Sequence, residues 1–401
     1  MEVFNNLLSS YAATANESDV YGTLLGVGFT VYNQTGLAYA GAAGRQGFDL
    51  SSPAYSLDTV QWIASMTKLI TTVALLQLVD RGFITLYEDL RPRFSEFSSL
   101  QVLTGFTENN TAILVDNTEP LTLRNLLTHT SGFSYDTWDP TLVRWATSVN
   151  RAENTSSWSR EGFRIPLVFS PGEQWTYGAS LDWAGYVLET ITNQSLEEYM
   201  RENIFEPLGM DSTSFNVSTI PGISCRRADW ASVSPNNTNQ LIPGNSDLFI
   251  PGEVFDMYSG GAGMFSTTRD YAKFLQATMR GDLLSKEMHS LMFTPQLTDA
   301  ERTSLESAAN AAWGTFAADI YPVGAPLSHG LSGIINLEDS PQRRRKGSMS
   351  WYGAVNSHWM IDPESGVAAV MTTQVDNGFL QHPLALELWR ELELAVYRGL
   401  V

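Results

Sequence analysis

The pattern of apolar and polar positions is least one-sided just after Trp62. From Leu69 to Leu78, apolar side chains fall on almost every side of a helix, the mark of a helix buried in a core. Upstream, residues 1–22 place Val3, Phe4, Leu7, Leu8 and Tyr11 on one helical face. Strand-like runs at 26–32 and 37–41 flank the turn residues Asn33-Gln34-Thr35-Gly36 and predict a hairpin. Residues 83–254 are richer in turns, with helices predicted at 123–128, 140–146, 180–192 and 195–204 and a loop-like, aromatic-rich stretch at 133–170. From 255 onward the pattern predicts a tight turn at 260–266 and a helix at 267–279. Strands follow at 311–320, 330–337, 349–361 and 367–374, then a closing amphipathic helix at 383–400. The fold class expected is α+β, an antiparallel sheet flanked by helices. Residues 1–82 and 255–401 build it, and 83–254 form a mostly helical inserted domain.

Composition narrows the partners more than the fold. The formal net charge of -19 argues against nucleic acid and against an anionic membrane surface. No apolar run is long enough to span a membrane. Cys225 is the sole cysteine, which excludes an intrachain disulfide and a Cys-based zinc site; it is expected as a small buried hydrophobe. After Met1 neither a basic nor an apolar leader pattern follows, so the expected location is cytoplasmic.

Candidate chemistry starts at the head of the apolar helix. Ser65 and Lys68 stand three apart and so share one helix face. Only four lysines occur, and only Lys68 has a serine three residues before it. Burial disfavours a charged lysine, and a neutral or proton-sharing lysine beside a serine hydroxyl is a nucleophile with its base. Such a pair needs a proton carrier and oxyanion donors. Tyr177, ahead of the helix at 180–192, is a candidate for the first. The strand around Trp351, Tyr352 and Gly353 is a candidate for the second, because a glycine interrupting a strand often marks a close backbone approach. His129, His329 and His358 are expected to be structural. The basic run Arg343-Arg344-Arg345-Lys346 is expected as a solvated loop, with a landing site for an acidic carrier protein as its functional alternative.

Ser65-x-x-Lys68, Tyr177 and the Gly353 strand, in that order, resemble the serine β-lactamase and penicillin-recognising superfamily. Within it the likeness is to the class C-like branch that includes fungal transesterases and esterases. Segments 126–132, 175–185, 226–229 and 344–348 support it, and the likeness runs from about residue 20 to 395. The resemblance implies Ser65 as acyl-accepting nucleophile and Lys68 as its base or proton relay. It implies Tyr177 as general base and acid, and the N–H groups of Ser65 and Ala354 as the oxyanion hole. Two departures point away from lactam chemistry. Ala179 stands where the superfamily has an asparagine amide, and Trp351 stands where it has a second lysine. Losing that cation leaves open whether Lys68 or Tyr177 is the base.

The function expected is therefore acyl transfer from a thioester or ester, through Ser65, to an alcohol of a hydrophobic secondary metabolite. Trp62, Tyr135, Trp138, Trp351, Tyr352 and Gly353 are expected to contact substrate. The donor expected is an acyl carrier protein or coenzyme A thioester, with no metal and no cofactor. Hydrolysis of the same acyl-enzyme by water is the alternative, since the outcome depends on how well the pocket excludes water. A non-catalytic binder is disfavoured, because it has no use for a buried lysine.

Overall fold

The computed structural model describes residues 1–14, 20–245, 256–311, 321, 323–378 and 380–399. Its centre is a seven-stranded antiparallel sheet made from both ends of the chain. In spatial order the strands are Leu327–His329, Ile334–Asn336, Met349–Tyr352, His358–Asp362, Val367–Thr372, Gly26–Asn33 and Gly36–Gly44. The predicted hairpin at 26–41 is thus joined to Val367–Thr372, the strand of this sheet that comes last in the chain. The middle strands 358–362 and 367–372 are buried on both faces, so helices must cover each side. Glu2–Tyr11 and Pro383–Gly399 pack together at one face, where Phe29 meets Phe4 and Trp389. Thr268–Arg280 covers the other. Gly28 is what admits it so closely, since a Cβ there would lie 2.3 Å from the Thr268 Oγ1 atom.

The apolar-all-round helix is Thr67–Asp80, with twelve of its fourteen residues buried. It packs against the helix Ser180–Thr192. Helices at Leu123–Leu127, Pro140–Ser148 and Leu196–Met200 also stand where the pattern puts them. Among the described residues no helix is long and apolar enough to cross a membrane.

Several expectations fail for local reasons. The first helix stops at Tyr11, because Ala13 donates to the Leu24 carbonyl (2.7 Å) and Leu24 to the Tyr11 carbonyl (2.7 Å); Val20–Tyr21 is a strand. The single strand expected at 349–361 is two antiparallel strands, Met349–Tyr352 and His358–Asp362. Gly353 opens the turn between them, its N–H bonded to the Ser357 carbonyl at 2.8 Å. At 330–337 only Ile334–Asn336 is strand; Ser332, at φ 105°, bends the chain before it. Residues 231–243, expected among helices, form two strands that join Val20–Tyr21 and Val375–Asp376 in a four-stranded sheet. The strand predicted at 311–320 lies, beyond Ala311, outside the described residues. Cys225 is exposed rather than buried, at the end of a short surface turn.

The basic run is not a free patch either. Arg344 is fully buried and makes a two-pronged ion pair with Glu393 of the closing helix, at 2.8 and 2.7 Å. Arg343 binds the same carboxylate, and Arg345 binds Asp339 at 3.0 Å. A buried guanidinium demands such a partner, so two of the four charges are spent inside the fold, while the Arg345–Asp339 pair lies at the surface.

Candidate active site

A two-stranded ladder aims the Ser–Lys turn. Val60–Trp62 pairs antiparallel with Phe265–Thr267, and the Ile63 N–H donates to the Met264 carbonyl at 2.9 Å. The chain then turns sharply. Ala64 sits at φ 46°, a left-handed conformation that costs a non-glycine residue energy and persists where surroundings enforce it. Ser65 lies in the single turn Ala64–Met66 that runs into Thr67–Asp80. Its N–H therefore points along the positive end of a long helix. Gly353 holds the next segment against this turn, since a Cβ there would sit 2.6 Å from the Ile63 carbonyl oxygen. The close approach foreseen at Gly353 is thus made to the backbone before Ser65. Ala354, one residue on, faces the same cavity as Ser65. Among the described residues neither N–H meets a backbone acceptor.

Lys68 is 1% exposed. Its Nζ lies 3.4 Å from the Ser65 Oγ, 3.3 Å from the Tyr135 hydroxyl and 2.8 Å from the Gly261 carbonyl. The Tyr177 ring centroid is 4.6 Å from the same nitrogen. Burial pushes the Lys68 pKa down to about 8, against the pull of the Asp182 carboxylate, which raises it. Burial drives the Tyr177 hydroxyl well above its usual value, with hydrogen bonds from Ser65 and Trp351 offsetting part of the rise. The Trp351 indole N–H donates to the Tyr177 hydroxyl at 3.3 Å, and the two rings stand 4.9 Å apart. His129 packs on the far side of Tyr177 at 4.7 Å; burial, with His329 and Lys68 nearby, holds it neutral.

These residues open into a cavity of about 690 Å³ lined by Trp62, Tyr135, Trp138, Trp158, Trp351 and Tyr352, with Ser65, Tyr177 and Ala354 at its base. Trp62 is anchored by its N–H to the Ala262 carbonyl (2.6 Å) and stacks on Trp230 at 5.6 Å. All residues expected to contact substrate line this cavity except Gly353.

Sequence reasoning missed Asp182, Ser259 and Gly261. Asp182 is 1% exposed and accepts from the Ser259 hydroxyl and, at 3.1 Å, from the Gly261 N–H. The Gly261 carbonyl in turn accepts from Lys68. One signal was available, a carboxylate set among the apolar residues Leu181, Trp183, Ala184, Val187 and Leu188 of a helix. Tyr135, expected only as a cavity wall, also reaches Lys68.

The beta-lactamase family model matches residues 14–392. The ML-236A carboxylate methylbutanoyltransferase of Penicillium citrinum is 35% identical over 355 residues, spanning 86% of this chain and 82% of that protein. The lovastatin esterase of Penicillium rubens is 34% identical over 327 residues, 79% of this chain and 80% of that one. The solved structure of simvastatin synthase from Aspergillus terreus superposes with a TM-score of 0.89 at 31% identity, covering 99% of this chain and 97% of the other.

Proposed function

The chain belongs to the beta-lactamase family, and from that premise we propose that it is a serine acyltransferase working through an acyl-Ser65 intermediate. Enzymes that transfer acyl groups or hydrolyse esters are its relatives on both counts. The observation that carries the residue assignment is a buried lysine nitrogen held 3.4 Å from a serine oxygen. In this reading neutral Lys68 takes the Ser65 proton as Oγ attacks the acyl carbonyl carbon. The N–H groups of Ser65 and Ala354 bind the oxyanion. The bond to the leaving sulfur or oxygen breaks as Tyr177 gives that atom a proton, and Tyr177 is reprotonated from Lys68. An incoming alcohol then loses its proton along the same route reversed, attacks the acyl carbon, and releases Ser65 with its proton restored.

Residues 1–82 and 255–401 supply the nucleophile and the oxyanion donors in this scheme; 83–254 supply Tyr135, Trp138 and Tyr177. The acceptor proposed is an apolar small-molecule alcohol of the polyketide kind, matched to the aromatic cavity. The donor proposed is a thioester, and with Arg343 and Arg344 ion-paired inside the fold, Arg345 and Lys346 are what the basic run leaves exposed toward a carrier protein. A cytoplasmic location belongs to the same reading. Hydrolysis is the second reading, favoured by the esterase among the relatives.

Incubation with a serine-directed phosphonate tests the nucleophile. Wild-type protein should gain one adduct mass and lose turnover, and Ser65→Ala should do neither. Labelling or turnover surviving in Ser65→Ala refutes the assignment. Mixing a short acyl thioester with apolar alcohols separates transfer from hydrolysis: ester product supports transfer, and free acid alone supports the hydrolase.

A further inference from the structure

The cavity has a charge signature that the acyl-enzyme scheme does not use. Its wall joins Trp62, Trp138, Trp158 and Trp351 to two carboxylates, Asp139 and Asp182, and among the described residues no arginine, lysine or histidine lines it. The segments outside the described residues cannot change this. None of residues 15–19, 246–255, 312–320, 322, 379, 400 and 401 is Lys, Arg or His, while several are acidic. The arginines on either side of Trp158 in the sequence are paired elsewhere, Arg151 to Asp136 at 3.7 Å, Arg160 to Glu96 at 3.5 Å and Arg164 to Glu161 at 3.3 Å. Lys68 lies behind Ser65, turned to the Gly261 carbonyl.

We propose that this cavity selects electrically neutral substrates, both acyl chains and alcohol acceptors, and rejects those that carry a carboxylate. The proposal rests on the acyl-enzyme reading above and names its substrate class. A carboxylate entering the cavity would lose hydration without gaining a cation. It would also meet Asp139 and the net charge of -19 behind it. A lactone, an ester or a plain alcohol incurs neither cost, and its apolar surface is taken up by the tryptophans. This distinguishes the chain from the Penicillium citrinum relative, which is named for a carboxylate. Asp139 is the residue through which the rejection is adjustable. Its carboxylate caps the helix Pro140–Ser148 by accepting from the Thr141 and Leu142 N–H groups, and asparagine caps a helix as well as aspartate does.

Three p-nitrophenyl esters of matched chain length test the idea: the methyl adipate, the free adipate and the ω-amino hexanoate. Release of nitrophenol near neutral pH reads kcat/KM for each. The methyl ester should exceed the free carboxylate by about 100-fold or more, and the ammonium ester should lose less than the carboxylate. Asp139→Asn should narrow the gap between methyl ester and carboxylate about two- to fivefold. A carboxylate within about threefold of the methyl ester, or an ammonium ester penalised as heavily as the carboxylate, overturns the selection. In those cases acyl-Ser65 would still appear by intact mass, and the acyl-enzyme reading would stand. If no ester reacts and no acyl-enzyme forms, both fall together.

Discussion

Deleting the Asp182 charge should make the protein faster at neutral pH. Burial holds the Lys68 pKa down at about 8, and Asp182 is the group that keeps it from falling further. With Lys68 as base, the active form is the neutral amine, which is about a tenth of the population at pH 7 for a pKa of about 8. An opposite charge close by is worth about 1–3 pKa units. Asp182→Asn should therefore move the acid limb of kcat/KM down by about one unit or more, leaving about half of the protein competent at pH 7. The substitution preserves shape, because an amide oxygen still accepts from the Ser259 hydroxyl and the Gly261 N–H. The assay is a pH profile of nitrophenyl butanoate turnover, followed at the isosbestic wavelength of the product. Midpoint, not plateau height, is the readout, since small displacements of Lys68 lower the plateau without shifting the limb. A wild-type limb near pH 8 that stays put or rises in Asp182→Asn refutes Lys68 as the titrating base. A limb above pH 10 points to Tyr177, whose hydroxyl burial drives upward.

Tyr177→Phe removes the proton donor to the leaving group but keeps the ring that packs on Lys68 and Trp351. Turnover of a poor leaving group, an alkyl ester, should fall about 10²–10⁴-fold, while the urea midpoint stays near wild type; wild-type turnover removes Tyr177 from the chemistry. Gly353→Ala places a methyl 2.6 Å from the Ile63 carbonyl, so the turn carrying Ser65 or the one carrying Ala354 must shift. Phosphonate labelling should slow at least about tenfold, as a misplaced oxyanion donor costs of that order or more, and unchanged labelling shows that the approach has no bearing on the site.

The parts of the fold that were legible share one property: a local pattern decided them. Thr67–Asp80 was readable because its apolar residues fall on almost every side, with Lys68 the one charge before its last residue. The hairpin of Gly26–Asn33 and Gly36–Gly44 was readable from its turn residues. What escaped was decided across the sequence. Met349–Tyr352 and His358–Asp362 read as one strand because both are buried, and only the return of Gly353 to Ser357 and to the Ile63 carbonyl divides them. Arg344 sits in a run that looks solvated until Glu393, 49 positions away, folds over it. Asp182 shows the same limit at the site. In the sequence it is a helix-opening acid; its meaning comes from Ser259 and Gly261, which pairing of distant segments brings to it.

The replacement at position 351 divides the proton-handling roles that the sequence left open. An ammonium beside a phenol stabilises the phenolate and lowers its pKa. The neutral indole N–H of Trp351, donating at 3.3 Å, does so only weakly, and burial drives Tyr177 the other way. Tyr177 thus keeps its proton near neutral pH, which suits a group that donates to a leaving oxygen or sulfur and poorly suits one that must accept from Ser65. Lys68 moves in the opposite direction, down to about 8, toward the range where an amine can accept. Two neighbouring groups whose environments push their pKa values apart can serve as acid and base at the same pH. In the proposed scheme Lys68 is therefore the acceptor and Tyr177 the donor, and Trp351, which also walls the cavity, withholds the charge that would blur the distinction.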